Sequence, residues 1–543
     1  MLLVALVAAG AALRLAALGA TGLTVREAGQ AFAAWAVAQG ARPPQWVGDA
    51  TSVLTSYLFR LGADGDAWPR LVSGLAGAAL VPAAYLLARP EGRTVALLAS
   101  FLVAFSPLTV AASRTALPGA LGGLLAALLA AALLRHWQRP RPQTLWATVL
   151  LAALCLGSDA VGLAGLLGCL LFLALAVWTG DHRWPSVVES LRRWPWAVVL
   201  GLAPGLAISA IHWGYGPSGA LAAPRLWSDL FVLPGDRSPV LTLLALLAYD
   251  WPLTFLGLGG AALLLRRAWL ARGLDSLSPW ERLSLCWLAP GLLVALAGSH
   301  AHEGALLAVA LPLALLGAVA MSWALVALPW GEAGRAWPAA VLVVACSGAL
   351  GLLWTLWSRP FSQVSAAEAW GAWLAAVSLM WGLWLAWRRW GTAAAAATAL
   401  ALAPLALGFW PHTVWAVGFH QGAEPLLGAR FTVGRDQLAR ILPQMPAPAA
   451  PLALSLGVAE VLGWHLRHLP LAVGDPPPRS GVYIAEATSP VPRGFSPRGE
   501  PVTVAREWRW HGDDGRRFWR WLLLREPYGR VLELRVQTMV RTQ

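Results

Sequence analysis

The chain contains no lysine, so all 40 of its basic residues are arginine. A coding bias towards GC-rich triplets explains this most cheaply. Charge of either sign is scarce: 12% of 543 residues are charged against 58% hydrophobic, and the charged share is about half that of a soluble domain. That balance argues against a soluble globular protein. Cysteine is reduced to Cys155, Cys169, Cys286 and Cys346, each inside an apolar run and none in a C-x-x-C spacing, which argues against disulfides and a cysteine zinc site. The first apolar run, 2–20, lacks a basic segment before it and carries Arg14 inside it. It therefore reads as a retained helix and not as a cleaved signal peptide. The net charge of +13 does not imply nucleic acid, because the arginines sit mainly in short loops at helix ends and in the C-terminal quarter, where topology and lipid head groups account for them.

What the chain does have is long apolar stretches. Most are roughly 18–25 residues long, enough to cross about 30 Å of hydrocarbon. Thirteen candidate spans follow: 2–20, 70–88, 94–113, 117–135, 144–157, 160–178, 196–213, 243–265, 283–299, 304–326, 338–357, 370–387 and 392–410. One set of alternate loops holds most of the arginines, including Arg89, Arg93, Arg135, Arg139, Arg141, Arg192, Arg193, Arg266, Arg267, Arg388 and Arg389. The positive-inside tendency then places the N-terminus in the cytoplasm and the C-terminus outside.

Two outer loops, 21–69 and 214–240, are long enough to carry structure. The first holds Ala28, Phe32, Trp35 and Ala36 at helical spacing, the pattern of a helix lying along a membrane surface. Beyond Trp410 proline and arginine become frequent, and short apolar segments at 451–456, 481–485 and 531–536 read as strands around a helix at 458–469. The expected architecture is an α-helical polytopic membrane domain over 1–410, of about 13 helices, followed by a small extracytoplasmic α/β module over 411–543.

An ordered series of motifs runs through the first quarter: Leu13-Arg14-Leu15 closing the first helix, Val25-Arg26-Glu27-Ala28 opening the outer loop, and Trp68-Pro69-Arg70-Leu71-Val72-Ser73-Gly74 leading into the next span. Ser106-Pro107, then Ser113-Arg114, and finally Leu134-Arg135 follow. In order and spacing this series resembles the GT-C membrane glycosyltransferases of the protein mannosyltransferase type, family 39. The tail, with Gly463-Trp464-His465-Leu466-Arg467 and Arg525-Glu526-Pro527, is similar to the flippase-activity-associated branch of that superfamily. The resemblance implies a GT-C-like fold, a polyprenyl-phosphate-linked sugar as donor, and an extracytoplasmic acceptor of unassigned kind.

It also implies an acidic pair at the start of the first outer loop and a further aspartate shortly after Ser113-Arg114. Here Arg26 stands at the first position of the pair, and 115–119 reads Thr-Ala-Leu-Pro-Gly with no carboxylate. Glu27 is left as the candidate base for an attacking hydroxyl, with Arg26 or Arg114 neutralising the carrier phosphate. The alternative is that Arg26 snorkels to head groups while Glu27 caps or pairs locally. His300, His302 and Glu303 lie in a short outer loop, where the resemblance places groups facing the donor phosphate; a divalent metal is the other ligand such side chains suit, and the plain alternative is a polar turn. No cofactor is otherwise called for. Asp250 and Asp159 sit in or beside apolar runs, where an ionisable group is costly and marks a candidate site; Asp159 also reads as a simple loop residue. Arg14 reads as snorkelling outward from its span.

Most of the 33 tryptophans adjoin arginines at span ends and form an aromatic belt. Three functions follow: membrane glycosyl transfer, a catalytically silent relative acting as scaffold or partner in lipid-linked sugar handling, and secondary transport. The last predicts internal repeats, and none is evident.

Overall fold

The computed structural model describes residues 1–41, 49–210, 239–297, 303–327, 413–414, 430–442, 451–474, 481–509 and 530–542. The expected spans at 338–357, 370–387 and 392–410 lie outside the described residues, and the other ten coincide with helices. These are α1 (Leu2–Leu15), α4 (Trp68–Ala88), the pair α5 (Arg93–Phe105) and α6 (Pro107–Ser113), α7 (Ala120–Gln138), α8 (Pro142–Leu156), α9 (Ala160–Trp178), α11 (Pro195–Ala210), α12 (Pro239–Leu270), α13 (Pro279–Ala297) and α14 (Glu303–Ala327). Among the described residues, five helices are long and apolar enough to cross a membrane, six if the bent pair α5–α6 is one span. Between the spans lie α2 (Val25–Ala38), α3 (Ala50–Arg60) and α10 (Trp184–Arg193).

Two breaks in the bundle have local causes. Ser106 is held at ψ 124 because the ring of Pro107 disfavours the helical conformation in the residue before it. The chain therefore leaves α5 and restarts as α6 at 60° to it, with the Ser106 hydroxyl accepting from the Thr109 N–H. In α12, Asp250 leaves helical geometry at φ −151, ψ 52, two residues before Pro252, which has no N–H to donate and crowds the preceding turn. The breaks face each other: the Ser106 hydroxyl donates to the Asp250 carboxylate.

Arg14 completes this polar seam. Its guanidinium donates to the carbonyls of Gly10, Val103 and Ala104 at 3.0, 2.7 and 3.0 Å and to Thr109 Oγ1 at 3.1 Å. The side chain is fully buried, which corrects the expectation that it snorkels outward. A helix end inside a bundle leaves carbonyls without partners, and a five-donor guanidinium can serve several at once.

The C-terminal module contains α15 (Val433–Ile441), α16 (Leu456–Leu466) and strands β1 (Arg430–Phe431), β2 (Leu452–Leu454), β3 (Leu471–Val473), β4 (Val482–Glu486), β5 (Phe495–Pro497), β6 (Val502–Arg509) and β7 (Arg530–Arg541). They form one sheet in the order β1-β6-β7-β4-β2-β3, with β5 also on β7. The parallel β2–β3 pair is linked through α16, the crossover that parallel strands require. Leu454, Val458, Leu462, Ile484, Val504 and Val536 form the core between sheet and helix.

The module sits on the 21–69 loop. Leu23, Ala28, Ala31, Ala34, Phe59 and Trp464 make one cluster, and a Cβ on Gly29 would meet the Glu460 carbonyl at 3.0 Å, so α2 and α16 approach backbone to backbone. The apolar face of α2 is thus covered by protein and does not lie open on a membrane surface. Trp464 packs on Phe59 with ring centroids 5.3 Å apart and donates to Asp66 at 2.8 Å, while Arg467 stacks over Trp464 and pairs with Asp64. Loop 21–69 and the module therefore share one end of the bundle, called here the module end.

Candidate functional site at the module end

Helix α2 begins with a reciprocal capping box: the Thr24 hydroxyl accepts from the Glu27 N–H and the Glu27 carboxylate accepts from the Thr24 N–H at 2.8 Å. That carboxylate also takes both faces of a fork from Arg70, Nε to Oε1 at 2.7 Å and Nη2 to Oε2 at 2.8 Å, and the Ala116 N–H at 3.0 Å. Arg70 spends its remaining donors on the Leu18, Thr21 and Gly22 carbonyls. One ion pair thus fastens the α1–α2 connection, α4 and the 114–119 loop together, and Glu27 is 1% exposed.

Burial alone would raise the Glu27 pKa, but Arg70 and the two backbone donors outweigh it and leave the group below its ordinary value. A carboxylate offers about four lone-pair sites, and here four donors fill them. The expected role of Glu27 as proton acceptor does not fit this geometry; the alternative, local capping and pairing, does.

Three residues along the same face of α2, Gln30 donates through Nε2 to Asp49 Oδ2 at 2.8 Å. Asp49 caps α3, accepting from the Ser52 N–H at 3.0 Å and the Ser52 hydroxyl at 2.5 Å. Asp159 caps α9, with Oδ1 accepting from the Val161 and Gly162 N–H groups at 2.9 and 3.0 Å and Oδ2 from the Gly122 N–H at 3.2 Å. A Cβ on Gly122 would fall 1.9 Å from Asp159 Oδ1, so only glycine admits the carboxylate there. Burial raises the pKa of Asp49 against the opposing hydrogen bonds of Ser52 and Gln30. For Asp159 burial, with a contribution from the nearby Asp49 charge, pushes the pKa up to about 6 despite its backbone donors. Two buried carboxylates from distant parts of the chain therefore lie within reach of each other's charge, and burial raises both.

The other expected residues are dispersed. Arg26, half-buried, makes no hydrogen bond or ion pair among the described residues and lies one helical turn from Gln30. Arg114 caps the end of α1, donating to the Leu13 and Ala16 carbonyls at 2.9 and 2.8 Å, the place where a helix dipole favours a cation. Asp250 is fully buried in the α12 break against Ser106 and belongs to the seam beneath. His300 and His302 lie outside the described residues, as does the side chain of Glu303, whose backbone opens α14. Among the described residues no cluster of three or more histidine, cysteine or acidic side chains is placed to hold a metal ion.

No family model and no curated protein sequence matches the chain. Solved structures do. ArnT from Cupriavidus metallidurans bound to undecaprenyl phosphate is 17% identical with a TM-score of 0.54, covering 89% of this chain and 93% of that one. The archaeal oligosaccharyltransferase AglB from Archaeoglobus fulgidus, in complex with an inhibitory peptide and a dolichol-phosphate, is 13% identical with a TM-score of 0.53, covering 89% of this chain and 69% of that one. The apo form of the Archaeoglobus fulgidus oligosaccharyltransferase is 12% identical with a TM-score of 0.52, covering 87% and 64%.

This chain shares the fold of these solved structures. Within it, sequence reasoning overlooked Arg70 and Asp49. Arg70 stood inside the Trp68-Pro69-Arg70 motif, where an arginine opening an apolar span invites a partner. Asp49 precedes Ala50-Thr51-Ser52, a helix-start pattern with an acidic cap that does not itself reveal a neighbouring carboxylate on α9.

Proposed function

We propose that this protein is an integral membrane glycosyltransferase that moves a sugar from a polyprenyl-phosphate carrier to an extracytoplasmic acceptor, and that the chemistry takes place at the module end. The observation that carries the reading is that Asp49, held by Gln30 of α2, lies within reach of the charge of the buried Asp159, while Arg26 on the same helix makes no hydrogen bond or ion pair among the described residues. Neighbours in fold, ArnT and AglB, are described with undecaprenyl phosphate and dolichol-phosphate, which supports a carrier of this chemistry.

Arg26 binds the carrier phosphate, where a guanidinium forms charge-assisted hydrogen bonds to oxyanions. The acceptor hydroxyl attacks the anomeric carbon, its oxygen–carbon bond forming as the carbon–oxygen bond to the phosphate breaks. The hydroxyl proton passes to Asp159 or Asp49, and the carrier departs as its monophosphate. Glu27 acts as a positioning residue: with Arg70 it sets α2, and through Gln30 on the same face it sets Asp49. His300, His302 and Glu303 stand as further contacts for the donor phosphate. Asp250 and Arg114 hold the framework beneath.

The competing reading, a silent relative, draws on the saturation of Glu27. Purified full-length chain in lipid, given a mixture of radiolabelled polyprenyl-phosphate sugars, separates the two. Transfer lost on the order of 100-fold or more in Asp159→Asn or Asp49→Asn, and weakened less in Glu27→Gln, supports the proposal. Donor binding with no transfer by the native chain supports the silent relative.

A further inference from the structure

At the opposite end of the bundle lies a basic surface that the chemistry above does not use. Helix α10 joins α9 to α11 and is strongly amphipathic: it buries Val187 and Ser190 and exposes Leu191, Arg192 and Arg193. Its start is pinned where Arg282 pairs with Asp181 at 2.8 Å. Its far turn is pinned by His136 of α7, whose Nε2 lies 2.8 Å from Ser190 Oγ and whose Nδ1 lies 3.0 Å from Thr144 Oγ1 of α8. This hub brings two arginine groups onto one surface: Arg139 stands three residues beyond His136, and Arg193 three residues beyond Ser190.

Arg139, Arg141, Arg192 and Arg193 are exposed, and none forms an ion pair among the described residues. Glu189 is the only carboxylate on α10, and Asp181 is occupied by Arg282. The depth of the surface follows from its neighbours. Trp146, Trp178, Trp196 and Trp269 are exposed at the same end, with Trp178 83% and Trp269 79% open, as rings at a membrane–water boundary are. A short helix with an apolar face and an arginine-bearing edge at that depth lies in the boundary plane, level with lipid phosphates.

We infer that α10 and the Arg139–Arg141 turn form a docking surface for the head groups of anionic phospholipids, with Arg139, Arg141, Arg192 and Arg193 facing the phosphates. Each exposed arginine near a lipid surface is worth roughly a fivefold change in affinity. The inference does not rest on the glycosyltransferase reading.

The test is native mass spectrometry of the purified full chain loaded with equimolar phosphatidylglycerol and phosphatidylcholine. The native chain retains phosphatidylglycerol by about tenfold or more, and Arg192→Gln/Arg193→Gln, which removes exposed charge and the Arg193 contact over the Trp194 ring, brings retention close to parity. Arg89→Gln/Arg93→Gln, at exposed arginines that flank Glu91 on the same end, lowers the preference by less. Equal retention by the native chain, an unchanged preference in the α10 variant, or an equal loss in the control variant overturns the inference.

Discussion

Replacing Arg70 with leucine tests the latch on which the site reading depends. Glu27 would keep only the Thr24 and Ala116 N–H donors at 1% exposure, and the Leu18, Thr21 and Gly22 carbonyls would lose their donor. Removing one partner of a buried ion pair costs about 3–5 kcal/mol, because the other charge is left uncompensated. Glu27→Gln should cost less, since its amide oxygen still accepts from Arg70. The double variant should be milder than the sum of the two by more than about 1 kcal/mol, the mark of a direct interaction.

The pH dependence carries its own sign. In the native chain the folded Glu27 titrates below its ordinary value of 4.5, so its stabilisation is present above that pH and is lost as pH falls through the folded value. In Arg70→Leu burial prevails, the folded value rises above 4.5, and the penalty at neutral pH is relieved on acidification. Thermal unfolding in nanodiscs across a pH series, for the native chain, both single variants and the double variant, reads all of this. An Arg70→Leu chain within about 1 kcal/mol of native, as an exposed pair would give, or one whose deficit grows on acidification, refutes the reasoning.

Other consequences follow from the same contacts. Gly122→Ala places a Cβ on Asp159 Oδ1, and transfer should fall by about 100-fold, the cost of displacing a reacting group by roughly 1 Å, with donor binding kept; transfer at the native rate would remove Asp159 from the site. Trp464→Ala should cost about 3–5 kcal/mol and loosen the module from α2, read as faster proteolysis at the module junction, whereas Trp464→Phe loses about 1 kcal/mol with the indole donor. His465, whose pKa is lowered to about 4 first by burial and then by Arg435, binds its proton more readily when unfolded; module stability should therefore decline as pH falls from about 6.5 towards 4 by at most roughly 3 kcal/mol. His465→Phe should flatten that decline.

The helices of the bundle were legible because lipid-spanning segments need about 20 apolar residues whatever they pack against. The module's strands and helix were legible for a similar local reason: short apolar segments between prolines and glycines at 451–456, 481–485 and 531–536 fall on β2, β4 and β7. Arg14 was misplaced, because its distance from a span end suggested snorkelling while its partners, Val103 and Ala104, are some 90 residues away. Glu27 was singled out as the candidate base, but whether its carboxylate was free or saturated depended on Arg70, 43 residues further on.

Hydrophobic length and cap residues act within a turn or two of chain, so the sequence by itself determined where helices run and that a polar module follows the membrane domain. Which charges neutralise one another is a matter of separation in space, since coulombic and hydrogen-bond energies act over a few ångströms. Only the tertiary structure could decide that Glu27 is spent on Arg70, that the charge of Asp49 reaches Asp159, and that α2 packs under the module.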